Sequence, residues 1–267
     1  MAILDFSRMK FSVVIPTYQE TARLGQTLGE IMTFLAKNFP QFEIIVVDDP
    51  ARDGSYTQIL APYNQDPRIR LLHQPVRWGK GTALRRGLLE SEGEIVLFMD
   101  ADHATPIQEV LHFIEQVKSV HAPIVVGGVR AYQEDESKGR RIIGICAQLL
   151  FHVIVFTKAV PDSQCGFKLF TRKTIDLIIP YCRVSGGIID VEIFFLAQKF
   201  GVPCRFEPVR WVNKTGSKVS ILKCSIRDIA EVFKIRLRSI FKGYCKPFQL
   251  AQQPWATIQK MLSIHCA

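Results

Sequence analysis

The stretch EIVLFMDADHATP (94–106) decides the fold. Its apolar residues, 95–99, run without interruption into Asp100-Ala101-Asp102. A short, near-continuous apolar run is the mark of a strand buried on both faces, as in a parallel sheet covered by helices on either side. The same pattern, apolar run and then polar strand end, recurs in both directions along the chain. FSVVIPT (11–17), FEIIVVDD (42–49), IRLLH (69–73) and PIVVGGV (123–129) all read as strands. Helical patterns fill the intervals at about 20–37, 56–64, 80–91 and 106–120, with Pro106 well placed in a first helical turn. Strands alternating with helices predict an α/β protein with a doubly wound, mostly parallel, Rossmann-like sheet. In such sheets the ligand lies at the carboxyl ends of the strands.

Beyond residue 130 the alternation loosens. The polar stretch AYQEDESKGRR (131–141) predicts an exposed loop, and the uncharged run 142–157 a buried or interfacial helix. A strand GFKLFT (166–171), a helix near 187–200 and a strand CRFEPVRW (204–211) follow. There is no internal repeat and no low-complexity tract.

The chain of 267 residues is 48% hydrophobic and 22% charged, which excludes wholesale disorder and is ample for one large domain or two small ones. The net charge of +9 is unevenly placed. Residues 1–204 carry 22 basic and 22 acidic side chains, whereas 205–246 carry 11 basic and 3 acidic, a net of +8. The sequence is thus a neutral globule with a basic tail, and a polyanionic surface is the expected partner of that tail. Seven cysteines without a C-x-x-C pair argue against a disulfide framework or zinc ribbon and predict a reducing, cytoplasmic setting. No signal peptide is expected in MAILDFSRMK (1–10), and the uncharged run 142–157 is too short for a transmembrane span.

The strand ends carry the chemistry. Asp48-Asp49 closes the second predicted strand and Asp100-Ala101-Asp102 the fourth. Carboxylates gathered at a strand end repel one another unless a cation or hydrogen-bond donors compensate. The D-x-D spacing suits a hard divalent ion, Mg²⁺ or Mn²⁺, bridging to a diphosphate. His103 is a further candidate ligand beside a simpler role as a solvated loop histidine. Gly79-Lys80-Gly81-Thr82 is not a full phosphate loop, since Gln74 and Gly81 break that motif. A small turn presenting Lys80 at a helix start still favours phosphate through its charge and free amides.

Six segments then carry a resemblance: VVIPTYQE (13–20), VVDDPARDG (46–54), GKGTALRRG (79–87), LFMDADHATP (97–106), DSQCGFKLF (162–170) and IDVEIFFLAQKFG (189–201). Together, over about residues 10–240, they resemble a family 2 glycosyltransferase of the GT-A fold. Within it they are most similar to polyprenyl-phosphate sugar transferases of the dolichyl-phosphate β-glucosyltransferase and dolichol-phosphate mannosyltransferase type. The resemblance implies a GT-A domain over 1–217 and a basic, amphipathic, membrane-peripheral tail over 218–267. It implies that Pro16, Tyr18, Glu20, Val47 and Asp49 hold the base and ribose of the donor nucleotide. Asp100, Ala101 and Asp102 become the metal–diphosphate motif, with Asp100 and Asp102 as ligands and Lys80 close to the phosphates. Arg130 and Lys218 match basic positions for phosphates or the lipid acceptor. Asp162 and Asp190 match acidic positions on the sugar and acceptor side, so Asp102, Asp162 and Asp190 are the catalytic candidates. UDP-glucose is the favoured donor, with GDP-mannose the alternative, and a polyprenyl phosphate the acceptor.

The resemblance also has gaps. Pro50-Ala51-Arg52-Asp53 replaces the usual Gly-Ser-Thr-Asp, Ala104 stands where the mannosyl branch has a metal-contacting Gln, and the membrane anchors of some relatives are expected to be missing. Two roles fit Asp190. A hydroxyl acceptor, on a saccharide or protein, needs it as a general base, whereas a lipid phosphate is already anionic and leaves it to orient a cation. In the tail, apolar positions 226, 229, 230, 233, 237, 240, 241 and 244 trace one helical face flanked by Arg227, Lys234, Arg238 and Lys242. That pattern predicts a helix in the interface of an anionic membrane, or one packed on the domain with a solvated basic face. A nucleic-acid partner is not expected, because it leaves both aspartate pairs without a role.

Overall fold

The computed structural model describes residues 9–18, 21–48, 61–63, 65–130, 153–212, 221–241 and 243–244. Seven strands form a single sheet: β1 (Lys10–Thr17), β2 (Gln41–Asp48), β3 (Ile69–His73), β4 (Ile95–Met99), β5 (Val125–Arg130), β6 (Phe167–Thr171) and β7 (Cys204–Val209). Their order is β3-β2-β1-β4-β6-β5-β7. All neighbours are parallel except β6, which runs antiparallel to both β4 and β5. The doubly wound, mostly parallel sheet is therefore present, and every predicted strand lies within two residues of its expected limits.

Among the described residues six α-helices accompany the sheet: α1 (Thr21–Asn38), α2 (Lys80–Glu90), α3 (Val110–Glu115), α4 (Arg172–Ile178), α5 (Ile189–Lys199) and α6 (Ile221–Ile240). Alternate strand residues feed opposite layers, which is why the strand sequences are apolar throughout. Val13 and Ile15 of β1 join Leu24, Leu28 and Ile31 of α1 on one face. Val14 joins Leu84 and Leu88 of α2 and Val191 and Phe194 of α5 on the other. The expected helix over 106–120 is shorter than its periodicity implied. A 3₁₀ turn at Ile107–Glu109 leads into α3, which ends at Glu115. Helix α4 was not anticipated.

The predicted loop 131–141 and most of the uncharged run 142–157 lie outside the described residues, although 153–155 are helical. The helix expected over 56–64 is described only at its end, as a 3₁₀ turn at Ala61–Tyr63. No described helix is long and apolar enough to cross a membrane.

The tail helix divides its apolar residues between two faces. Val232 and Ile235 are fully buried against the domain, and Tyr244, just past the helix, is 1% exposed. Phe233, Leu237, Ile240 and Phe241 face outward, with exposures rising from 49% at Phe233 to 77% at Phe241. Of the apolar face read from the sequence, positions 233, 237, 240 and 241 form an outward stripe, Tyr244 turns inward, and Val232 and Ile235, which are not on that face, pack against the domain.

Candidate active site

The carboxyl ends of the parallel strands and the amino end of β6 converge on one edge of the sheet. There β4 delivers Asp100, whose backbone N–H donates to the Gly166 carbonyl at 3.0 Å. Gly166 immediately precedes β6 and is a requirement of this packing. A Cβ built on it would lie 1.8 Å from Asp100 Oδ2. The carboxylate occupies the space any side chain at 166 would need. Gly166→Ala is therefore expected to displace Asp100 and lower kcat/KM by about a hundredfold, the effect of roughly 1 Å of misplacement at a reacting centre. Kinetics alongside circular dichroism check this, because the fold should survive.

Two helix starts face Asp100. Lys80, the first residue of α2, places Nζ 2.9 Å from Asp100 Oδ1 and 3.3 Å from Asp190 Oδ2. Asp190, in the first turn of α5, is 1% exposed, and its other oxygen accepts from Lys168 Nζ at 2.6 Å. Lys168 sits in β6, is completely buried, and donates again to the Cys165 carbonyl. Two carboxylates and two ammonium groups thus alternate in a chain, Asp100–Lys80–Asp190–Lys168. Burial alone would push the Lys80 ammonium down, but Asp100 and Asp190 outweigh it and hold its pKa above the ordinary lysine value. Burial raises the Asp100 carboxyl, Lys80 opposes the rise, and Asp190 and Asp102 add to it. The expected free amides at the start of α2 are not available: Gly81 and Thr82 N–H both donate to the Ser185 carbonyl, at 2.7 and 3.3 Å. The turn presents the Lys80 side chain rather than an amide nest.

Asp102 lies on the same turn, with Oδ1 accepting from Ala104 N–H at 3.0 Å. A recess beside it is lined by Met99, Asp100, Thr105, Gly166 and Trp211. His103 is committed elsewhere. Its Nδ1 is 2.8 Å from Glu30 and its Nε2 accepts from Ile107 N–H at 3.1 Å, which pins a backbone with φ of 52°. Among the described residues no group of three or more His, Cys, Asp or Glu gathers as a metal centre. Two carboxylates with an open recess nevertheless fit an ion that takes its remaining ligands from water and a substrate diphosphate. Cys165, behind the site, is held as a thiol by burial, its pKa pushed up to about 11.

Arg130, ending β5, grips Asp162 in a two-pronged pair, Nε to Oδ2 at 2.7 Å and Nη2 to Oδ1 at 3.0 Å, and lies 5.7 Å from the Trp211 ring. Burial would raise the Asp162 carboxyl, but the Arg130 hydrogen bonds and charge outweigh it and hold the group below its ordinary value. Because the folded value is the lower one, the stability from this pair is complete above the usual aspartate range. It is lost as pH falls through that range, near 3.9, and below. Asp162→Asn is expected to cost about 1–2 kcal/mol at neutral pH, with the gap to wild type closing in acid. Thermal unfolding against pH measures it.

Among the residues expected to hold a nucleotide, Pro16 and Val47 are buried at the ends of β1 and β2. Tyr18 lies beside them, and the Arg77 guanidinium stands 3.8 Å over its ring. Asp48 is buried and within 3.2 Å of His73 Nδ1. Glu20, Asp49, the stretch Pro50-Ala51-Arg52-Asp53 and Lys218 lie outside the described residues. Sequence reasoning missed Lys168, Gly166, Arg77 and Trp211. Only Lys168 left a signal, a cation inside an apolar strand that has to find a carboxylate.

Comparison with known proteins places this arrangement. Residues 12–177 match glycosyl transferase family 2. The dolichyl-phosphate beta-glucosyltransferase of Dictyostelium discoideum is 33% identical over 85% of this chain and 74% of its own length. Those of Saccharomyces cerevisiae and Homo sapiens are 31% and 30% identical over 90% and 89% of this chain, and 78% of their own lengths. Among solved structures, glucosyl-3-phosphoglycerate synthase from Mycobacterium tuberculosis in complex with Mn²⁺, UDP and phosphoglyceric acid superposes with a TM-score of 0.62. It is 20% identical, covering 86% of this chain and 78% of that one. Mannosyl-3-phosphoglycerate synthase from Rubrobacter xylanophilus gives 0.63 at 18% identity, covering 88% and 75%. The likeness to these structures is one of fold, the GT-A architecture.

Proposed function

The chain belongs to glycosyl transferase family 2, and from that premise we propose that it transfers a hexose from a nucleotide sugar to a polyprenyl or dolichyl phosphate, with inversion at the anomeric carbon. Glucose from UDP-glucose is the favoured donor, as the names of its curated relatives suggest, and GDP-mannose the alternative. Asp100 and Asp102 would hold Mg²⁺ or Mn²⁺, in keeping with the Mn²⁺ and UDP bound in the mycobacterial synthase. When bound, the ion neutralises charge developing on the departing diphosphate. Lys80 adds a second positive charge at the same edge. Pro16, Tyr18 and Val47, with Glu20 and Asp49, would seat the nucleoside, and Arg130 with Lys218 the acceptor phosphate.

The observation that carries the acceptor class is the state of the acids. A hydroxyl nucleophile needs a base with a free oxygen facing it. Asp190 has each oxygen against an ammonium group, and Asp162 has both oxygens in the Arg130 pair. Asp102 belongs to the metal motif. An acceptor that arrives already ionised requires none of them as a base. Asp190 is then the group that orients Lys80, and Asp162 the group that orients Arg130.

The outward stripe of α6 supports a peripheral place on an anionic, cytoplasm-facing membrane, where such an acceptor resides. Exposed Arg227, Lys234 and Arg236 accompany the stripe, each worth on the order of 1 kcal/mol near anionic lipid. Replacing Phe233 and Phe241 together by Ser is expected to reduce sedimentation with anionic vesicles by about tenfold or more. The whole reading is tested by a turnover screen of UDP- and GDP-sugars with Mg²⁺ or Mn²⁺ and vesicles containing polyprenyl phosphate. Formation of a lipid-linked sugar from one donor supports it; none from any donor sinks it.

A further inference from the structure

The basic tail does more than present a stripe. Just beyond α6 the chain turns inward, from Phe241, 77% exposed, to Tyr244, 1% exposed. There the Tyr244 hydroxyl donates to Glu192 Oε1 at 2.6 Å. Glu192 is fully buried in α5, two residues after Asp190. Its other oxygen, Oε2, accepts the backbone N–H groups of Arg183 and Val184, both at 2.8 Å. Arg238 of α6 stands 4.0 Å from the same carboxylate, and Arg183 Nη2 donates back to the Gly243 carbonyl at 2.9 Å. One buried carboxylate therefore joins the stretch just past α6 to the segment that begins at Arg183 and Val184.

That segment is the floor under Lys80. The Ser185 carbonyl accepts from Gly81 and Thr82 N–H. A Cβ on Gly79 would lie 2.6 Å from the Ser185 oxygen, and one on Gly81 2.5 Å from the Val184 oxygen. Backbone lies directly on backbone, so a shift of 183–186 moves the Gly79–Gly81 turn with it. Arg85, further along α2, fastens the same floor through the Cys182 carbonyl at 2.8 Å.

We propose that Glu192 and Tyr244 are positioning residues for donor binding, which place the Lys80 ammonium by fixing the 183–186 segment, and that the seated tail is thereby part of the active site rather than a detachable tether. This rests on the reading of the site as one for a nucleoside diphosphate. Tyr244→Phe removes one hydroxyl from a buried carboxylate and leaves the ring in place. UDP binding in the presence of Mn²⁺, measured by calorimetry well below the melting temperature, reports its effect. Lys80→Ala is expected to weaken binding about tenfold and Tyr244→Phe, which acts only through the position of Lys80, about fivefold, the scale of one ordinary net hydrogen bond. The double variant is expected to bind no more weakly than Lys80→Ala, since both act through one ammonium group. Hydrogen exchange at Gly81 and Thr82 is expected to rise in Tyr244→Phe.

Wild-type affinity in Tyr244→Phe, or effects of the two changes that multiply, would overturn the proposal while leaving the donor site standing. A protein that binds no UDP, or binds it equally well without Lys80, overturns the donor site and this inference together. Should Tyr244→Phe fail to fold, Glu192→Gln takes its place in the same cycle, with the same outcomes deciding.

Discussion

Replacing Asp100 by Asn is expected to lower kcat about a thousandfold or more and to abolish the stabilisation expected of wild type with Mn²⁺ and UDP. The variant should nonetheless melt no lower than the parent. Asp100 faces two other carboxylates, Asp190 and Asp102, and burial together with those charges raises its pKa despite Lys80. A carboxyl whose folded value lies above its unfolded one is a net cost to the fold at neutral pH. The asparagine removes that cost and keeps the shape that fits against Gly166. Activity and stability therefore move in different directions, which a substitution that merely damaged packing would not produce. Steady-state kinetics with thermal unfolding, with and without Mn²⁺ and UDP, separate the two.

Lys80→Ala is expected to lower kcat by about 10²–10³-fold through loss of the positive charge at the diphosphate. Its signature differs from that of Asp100→Asn. With no donor present, Lys80 neutralises Asp100 at 2.9 Å and so competes with a divalent ion for the same oxygen. Removing it should leave the affinity for Mn²⁺ alone unchanged or tighter, while Asp100→Asn weakens it. Arginine at this position is not expected to restore activity. The bulkier, planar guanidinium would have to fit between Asp100 and Asp190, above a turn already in contact with Ser185. Manganese titration followed by its paramagnetic signal, together with single-turnover rates, distinguishes the variants.

Much of this was legible in the sequence because burial on both faces of a strand leaves a plain trace. IVLFM at 95–99 and IIVV at 44–47 could scarcely be anything but central strands, and their polar ends located the candidate site. The direction of GFKLFT was not legible. Strand polarity depends on which neighbours a strand inserts between, and β6 lies between β4 and β5, distant in sequence. Gly166 left no trace for the same reason. Its need to be glycine comes from a carboxylate 66 positions earlier in the chain. The tail shows a different limit. Periodicity found an amphipathic helix but left open whether it meets a membrane or the domain; Val232 and Ile235 pack inward and Phe233, Leu237, Ile240 and Phe241 do not. A helix with apolar residues on more than one face is resolved only by the surface it meets.

The roles of the acids divided in the same way. Their types and spacing suggested a metal motif and a possible base, but whether Asp190 could act as a base depended on Lys168, a cation in an apolar strand whose need for a carboxylate is legible while the identity of that carboxylate is not. The central claim is that these acids are engaged by cations and that the acceptor supplies its own charge. It is tested most directly by offering the enzyme, with UDP-glucose and Mn²⁺, a polyprenyl phosphate or the corresponding polyprenol in otherwise identical vesicles. Transfer to the phosphate, and none above background to the alcohol, is the predicted result. Comparable transfer to the alcohol, abolished by Asp190→Asn, would contradict it.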